Sequence, residues 1–541
     1  MATSMSTLKE KLKSKLFIDY IFLSLCLFCL LGTFEVRSYV FFRDYSITFE
    51  GAYRLFNGQI PYRDFGSPVG PISFVIPALF FKIFKPNWSV FIISQQFENV
   101  CMLVLMFALL SKINIEVNIK RVALICFTLF YLLLQTHPWY NSTATLLLIA
   151  ATLCALYTSS IYVISSGLIS GLAVLAKQDF GLLTILISGL LVVILSLGSD
   201  LDKIIPSYDT AIIKKEYLRV ARNLGLYTTS IVLIILTFIL LTDSEGFKYW
   251  FNYGQPPHEI RNISIKAFLF GALGWLMLVI SLYFNNFQLL VASLFIIAGS
   301  ITRATSGLSF THYYYVVFIP VVLKSSLEIR TILRQYIIAI SFILAALMLI
   351  RPIIDVYHVY ESIARKEPEH FFFDYRHISK PLTKFPSDFL AFSSFTQASQ
   401  DTINAINELK NLTTQYRTNN IDLQIKVLNV SELTPIYAEL EVTPPKGLPL
   451  WFHSKVSLFP NQLTDLNNKL ASHEFDIILL QATHEGLTPT YTKFFSIINK
   501  NSSYELFKTI HNSPANTTWL CEPNCQGDIL IYVKKTFISS K

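Results

Sequence analysis

The sequence predicts a polytopic α-helical membrane protein that ends in a water-soluble α/β tail, and three observations lead there. Hydrophobic residues make up 52% of the 541 positions and charged residues only 15%, against the roughly 25% that coats an ordinary soluble domain. The mean hydropathy is +0.48. The shortage of charge is also uneven: up to Arg351 long apolar runs alternate with short polar turns, and from residue 352 onward the composition is that of an ordinary mixed domain.

A helix needs roughly 20 apolar residues, and about 17 at the least, to cross the hydrocarbon core. About eleven spans are expected, at 16–36, 90–110, 122–135, 142–158, 161–176, 180–198, 225–243, 266–284, 287–300, 311–324 and 335–351. The first lacks a small-residue cleavage site and reads as a retained signal anchor. Lys9, Lys11, Lys13 and Lys15 place the N-terminus in the cytoplasm, because Lys and Arg collect in short cytoplasmic loops. Loops 111–121, 199–224 and 325–334 then carry Lys112, Lys120, Arg121, Lys203, Lys214, Lys215, Arg219, Arg222, Arg330 and Arg334 on that same side. This arrangement requires that 71–84 not cross. The segment is short, follows Pro68 and Pro71 and contains Pro77, so an interfacial or re-entrant helix is expected. The tail then lies outside.

The net charge of +8 does not indicate nucleic acid, since the basic residues flank apolar runs and no basic patch interleaved with aromatics occurs. Cys26, Cys29, Cys101, Cys126 and Cys154 lie in apolar runs, where cysteine acts as a small hydrophobe. Cys521 and Cys525 lie in a polar loop of the tail, and an outside location makes a disulfide between them the expected state. Gly167 and Gly171 form a G-x-x-x-G, read as close helix packing. The ionisable residues gather at span ends, apart from Asp19.

The first outer loop, 37–89, carries the most chemistry. Ile47, Ala52 and Leu55 mix with Glu50, Tyr53 and Arg54 at helical spacing, and Gly58 supplies a stop signal, which describes an amphipathic helix lying in the membrane surface. A stiff Gly/Pro-rich run through Gly66, Pro68, Gly70 and Pro71 follows. Asp44 precedes the surface helix and Asp64 follows it. A carboxylate there can take a proton from an attacking hydroxyl or hold a metal beside a phosphate. The competing reading is that both only cap helices or pair with Arg43 and Arg63.

The order of aspartate, surface helix, Asn57-Gly58, Pro61-Tyr62-Arg63-Asp64-Phe65 and Gly66-x-x-x-Gly70-Pro71 resembles the first outer loop of GT-C glycosyltransferases. The branch meant holds the protein O-mannosyltransferases, aminoarabinose transferases and related bacterial enzymes that use polyprenyl-phosphate sugars. The run from Gly171 to Lys177-Gln178-Asp179, and His312-Tyr313-Tyr314-Tyr315 leading to Pro320, are similar to later parts of that family. The likeness is spread over residues 15–350. It implies a GT-C-like fold in a bacterial inner membrane. It also implies a polyprenyl-phosphate-linked sugar as donor and a glycan, lipid or protein as acceptor. Asp44 matches the family's catalytic base by position, with Asp64 as the fallback. Asp44 lacks the adjacent glutamate that some relatives carry, which leaves a divalent cation open.

No Gly-rich nucleotide loop is present, so nothing asks for a soluble nucleotide donor. A lipid phosphate needs cations at the outer surface beside an apolar groove. Lys177 falls in a very short turn between two spans, and Arg303 and His312 lie at outer helix ends. Together they are expected to hold the donor phosphate and stabilise the leaving group. For Lys177 the competing reading is a snorkelling helix-end lysine. Tyr62, Arg63, Gln178 and Trp250 are the expected substrate contacts. Trp250 lies in an aromatic segment, 244–265, read as an outer loop, and interfacial anchoring competes with sugar stacking there.

The tail, 352–541, reads as one α/β domain. Its strands are expected at 424–430, 475–480 and 528–534, and its helices near 399–417 and 461–472. No catalytic constellation occurs in it. Two rivals to a membrane glycosyltransferase remain. A polymerase or ligase of lipid-linked glycans would place its large outer loop late in the chain. A transporter or flippase would carry ionisable residues inside spans, together with internal repeats.

Overall fold

The computed structural model describes residues 19–28, 30, 38–39, 43–67, 69–197, 210–253, 265–306, 310–328, 334–365, 382–392, 396–419, 424–431, 433, 435–450, 452, 460–481, 489–500, 503–510 and 528–538. Cys521 and Cys525, with the expected disulfide, lie outside them, as does Cys29.

Apolar helices follow one another through short turns. They are α1 (Asp19–Phe28), α2 (Arg43–Phe56), α3 (Val75–Phe84), α4 (Trp88–Lys112), α5 (Val117–Phe130), α6 (Tyr140–Ala155), α7 (Ser160–Ala176), α8 (Gln178–Ser196), α9 (Thr210–Tyr253), α10 (Ile265–Tyr283), α11 (Phe287–Ser306), α12 (Ile319–Glu328) and α13 (Arg334–Arg365). Among the described residues, five stretches are long and apolar enough to cross a membrane: Trp88–Lys112, Val117–Leu134, Gln178–Ser196, Glu216–Thr242 and Ile337–His358. Others counted among the expected eleven, such as Tyr140–Ala155 and Ser160–Ala176, are shorter apolar helices. The difference arises where chain read as span or loop is used otherwise. Residues 310–318, within the expected span 311–324 for most of their length, form a 3-10 stretch before α12. Conversely, α9 absorbs the second half of the expected loop 199–224 and the start of 244–265, and α13 runs past Pro352. Segment 71–84 is a 3-10 turn followed by the ten-residue α3, with Leu79, Ile83 and Phe84 exposed.

Because neighbours such as α6, α7 and α8 pack in sequence, alternate turns gather at one end of the bundle. Asp19, Lys120 and Arg121 meet at the far end. Asp19 accepts from Lys120 at 2.8 Å and from Arg121 at 3.4 Å, so the exceptional intramembrane aspartate ties α1 to α5. Another ionisable residue departs from the helix-end pattern expected of the sequence. Glu98, mid-way along α4, is fully buried and accepts from Thr143 at 3.1 Å and Ser142 at 3.4 Å on α6. Helix packing makes such a site workable, because the hydroxyls that replace water come from the neighbouring helix.

The tail caps the other end. Its sheet has the order β5 (Val427–Val430), β7 (Ile477–Gln481), β9 (Ile529–Lys534), β8 (Tyr504–Ile510), with β7 parallel to β5 and antiparallel to β9. Side chains alternate across a strand, so Ile477 and Leu479 join the large core shared with the bundle. Ile478 and Leu480 face a second core with residues of α16 (Pro460–Ala471) and α17 (Pro489–Lys500).

The tail is also woven into the first loop. β1 (Ser38–Tyr39) pairs parallel with β4 (Thr396–Ser399), and β2 (Phe65–Gly66) pairs parallel with β6 (Leu448–Pro449). At the end of α2, Gly58 takes the left-handed φ of +79°, a conformation without cost for glycine. The chain then turns, and Arg54 is fixed there. Its Nε and Nη2 donate to Glu50 at 3.0 and 2.8 Å, and Nη1 donates to Gln59 at 3.1 Å and to the Pro445 carbonyl at 2.8 Å. Its guanidinium lies over the rings of Phe65 and Tyr437. Arg54 and Glu50 are 1% and 3% exposed. Burial pushes the Glu50 carboxyl up, and the charge and hydrogen bonds of Arg54 pull against that shift. Removing one member of such a pair strands the other. Arg54→Ala is therefore expected to cost about 3–5 kcal/mol and to free the tail for proteolysis. The double variant Arg54→Met/Glu50→Gln should recover most of that loss in a thermal melt.

Candidate functional site

The site lies where the first loop, the α7–α8 turn, the end of α9 and the start of α6 meet beneath the tail. Lys177 is the only residue between α7 and α8. Its extended backbone, φ −158° and ψ 122°, breaks one helix and starts the next. The side chain does not snorkel: it is 4% exposed. Nζ lies 3.3 Å from Asp179, 4.9 Å from the Phe180 ring centroid and 5.6 Å from that of Tyr140. Burial pushes the ammonium pKa down, and Asp179 opposes the shift. The ring faces and one carboxylate thus hold a cation that water does not reach.

The loop is pressed directly against this turn. A Cβ on Gly70 would lie 2.1 Å from the Leu175 carbonyl oxygen and 2.4 Å from that of Ala176, so only glycine fits. Tyr62 holds a left-handed φ of 65°, a strained conformation for a bulky side chain. It is kept there by its amide, which donates to Phe65 O at 2.7 Å, and by its hydroxyl, which donates to Val69 O at 2.8 Å. Its ring meets Phe238 edge-on, and Tyr62, Leu175, Phe238 and Trp250 form one apolar cluster. Gln178 donates to the Trp250 carbonyl at 3.1 Å. Four expected site residues, Tyr62, Lys177, Gln178 and Trp250, are therefore gathered at this junction. Trp250 is 4% exposed and belongs to α9, not to a loop. The α9 ladder continues through the segment because Phe247 and Trp250 fall on the face it buries.

Asp64 faces the tail instead. One oxygen accepts from the Ile60 amide at 2.8 Å and from Arg63 at 3.1 Å, and the other lies 3.2 Å from Lys446. Burial alone would raise this carboxyl, but the Ile60 amide, Arg63 and Lys446 together hold it below the usual range. Arg63 keeps a largely exposed side chain.

Asp44 is the second residue of α2, and His312 lies in the 3-10 stretch; the side chains of both fall outside the described set. The residue after Asp44 is placed in detail. Tyr45 stacks on His137 with centroids 4.4 Å apart and meets Trp139 edge-on at 5.9 Å. Trp139 meets Tyr140 at 5.4 Å, and Tyr140 faces Lys177. A continuous row of rings thus joins the Asp44 position to Lys177. On the far side of Lys177, Phe180 meets Tyr314, whose hydroxyl is 3.3 Å from Thr302, the neighbour of Arg303. Arg303 itself is half-buried in the last turn of α11. His137 is enclosed, and burial pushes its pKa down to about 3, so the ring is neutral.

The reading of the sequence missed this aromatic row, and it missed Glu98 with Ser142 and Thr143. It also missed Asp355, which accepts from Tyr313 at 2.9 Å and pairs with Arg351. A signal existed for Glu98, in the run Ser94-Gln95-Gln96-Phe97-Glu98-Asn99 inside an expected span. Among the described side chains no three His, Cys, Asp or Glu gather in one place.

Fold and site define a mostly helical membrane protein whose C-terminal tail pairs with the segments on either side of α2. No family model matches the chain, and no curated protein does. Among solved structures, the crystal structure of ArnT from Cupriavidus metallidurans bound to undecaprenyl phosphate aligns with 95% of this chain and 97% of its own, at 9% identity and a TM-score of 0.46. The apo form of the same protein aligns with 96% of this chain and 98% of its own, at 10% identity and a TM-score of 0.45.

Gly70→Ala is expected to push the loop off the α7–α8 turn. The overpacking cost is about 1–3 kcal/mol, read as a lower melting temperature and faster proteolysis between residues 58 and 75.

Proposed function

We propose that this chain is an integral-membrane glycosyltransferase that moves a sugar from a polyprenyl-phosphate donor to a glycan, lipid or protein acceptor, with inversion. The observation that carries the reading is the placement of Lys177. It is a buried ammonium at the bundle end facing the tail, joined by Tyr140, Trp139 and Tyr45 to the helix that bears Asp44. In this reading Lys177 holds the donor phosphate, with Arg303 or His312 beside it. Asp44 takes the proton from the acceptor hydroxyl as that oxygen attacks the anomeric carbon. The bond from carbon to the phosphate oxygen breaks, and its electron pair leaves on the polyprenyl phosphate, where the cations stabilise it. The engagement of both Asp64 oxygens supports assigning the base to Asp44 and a holding role to Asp64. Tyr62, Gln178 and Trp250 wall the site, and Arg63 reaches toward substrate. The N-terminus is cytoplasmic and the tail faces outside a bacterial inner membrane, so Cys521 and Cys525 sit where a disulfide persists.

Glu98 favours a second reading, because an ionisable residue inside a span marks the pathway of many transporters and flippases. Transfer of labelled sugar from a polyprenyl-phosphate donor in membranes separates the two. Wild type should transfer. Asp44→Asn should lose about 10²–10⁴-fold in rate, the range for a general base, and Lys177→Ala about 10²–10³-fold, the range for a charge stabiliser. Full activity in Asp44→Asn would move the base to Asp64. No transfer with any donor, together with lipid translocation in vesicles, would establish the second reading.

A further inference from the structure

The first turn of α6 is held from three sides. From within the bundle, Thr143 and Ser142 donate to Glu98, and Ser142 also donates to Gln95 at 3.0 Å. The segment before it is pinned by Asn99, whose amide donates to the Gln135 carbonyl at 2.8 Å. From the first loop, Tyr45 packs on His137 and Trp139. To the side, the half-buried Tyr140 faces the Lys177 ammonium. The turn is thus rigid and lies between Lys177 and the Asp44 position.

Asn141 sits in this turn. It is 0% exposed, and neither its amide nitrogen nor its amide oxygen has a partner among the described residues. The neighbouring Ser142, Thr143 and Thr145 hydroxyls are all bonded. A buried amide left unpaired costs about 1–3 kcal/mol for each group, so a polar guest that both donates and accepts there is favoured. Adjacent hydroxyls supply that pair, and rings beside a few placed polar groups form the usual lining of a small-molecule site. The position fits the same chemistry: with the phosphate at Lys177 and the base at Asp44, the donor's sugar ring must lie between them, over this turn.

We propose that Asn141 reads the hydroxyl groups of the donor sugar and, with Tyr140 and Trp139, forms the subsite that sets sugar specificity. This rests on the transferase reading. Glu98 is the positioning residue that fixes the turn through Ser142 and Thr143.

The test uses the full chain in detergent and compares polyprenyl-phosphate sugar with polyprenyl phosphate lacking the sugar, by ligand-induced thermal shift and native mass spectrometry. Wild type should bind the sugar-bearing lipid at least about tenfold more tightly, the effect of one or two good hydrogen bonds. Asn141→Ala should erase that preference and leave affinity for the bare lipid unchanged, and Asn141→Asp, which keeps the acceptor and loses the donor, should fall between. Asn141→Ser serves in place of the alanine variant if that one fails to fold. A sugar preference that survives Asn141→Ala overturns the proposal, including the case where the variant only melts lower because its amide held an ordered water. Absence of any preference in wild type overturns it too. The transferase reading is judged separately by sugar transfer in wild type: a preference that depends on Asn141 in a chain that transfers nothing would support the subsite and remove the enzyme.

Discussion

The buried pair of Arg54 and Glu50 is the constraint on which the rest of this site depends. Both sit on one face of α2, four residues apart, and neither is tolerable alone at 1% and 3% exposure. Arg54 has more donors than Glu50 can use, and it spends them on Gln59 and on the Pro445 carbonyl of the tail. A neutral side chain would cost α2 its ties to Gln59 and to the tail and leave it held by apolar packing alone, such as that of Phe49 on Phe81, Trp88 and Phe91. With the guanidinium in place, α2, the turn after it and the tail form one body, and β2 finds its partner β6 far along the sequence, Phe65 opposite Leu448.

That body determines what lies beneath it. The Gly/Pro-rich run descends from Tyr62 to Gly70, where its backbone touches the end of α7. Lys177 follows immediately, enclosed by Tyr140, Phe180 and Asp179. Among the described contacts that ammonium meets π faces and the Asp179 carboxylate. It offers a stronger field to an incoming anion than the same group in water would, since little solvent screens it. The cost of burying it is offset by the packing of the loop above, which ties the chemistry of the turn to the integrity of the tail.

Much of this was readable in the chain. The helix that ends before Gly58, the Lys177 turn, and the strands expected at 424–430, 475–480 and 528–534 follow from local pattern: amphipathic spacing, a glycine stop, and apolar runs of strand length. The expected surface position of α2 does not hold, since residues 45–54 are all buried. Trp250 was read as a loop residue because aromatic clusters mark membrane interfaces, whereas α9 buries it against Tyr62 and Phe238. Glu98 escaped notice because one carboxylate in an apolar run is outweighed in any hydropathy sum. Its partners, Ser142 and Thr143, stand more than forty residues away.

By itself, then, the sequence determined the membrane class, the amphipathic character of α2 and the residue types at the site, because these depend on composition and on periods of two to four residues. Only the tertiary structure decided which of those residues meet. It assigned Asp64 to the tail through Lys446 and Lys177 to a place against the Tyr140 and Phe180 rings, and it left the Asn141 amide without a partner among the described residues. Such assignments depend on contacts between segments up to several hundred residues apart, and local periodicity carries no information about which distant carbonyl or ring will complete a buried charge.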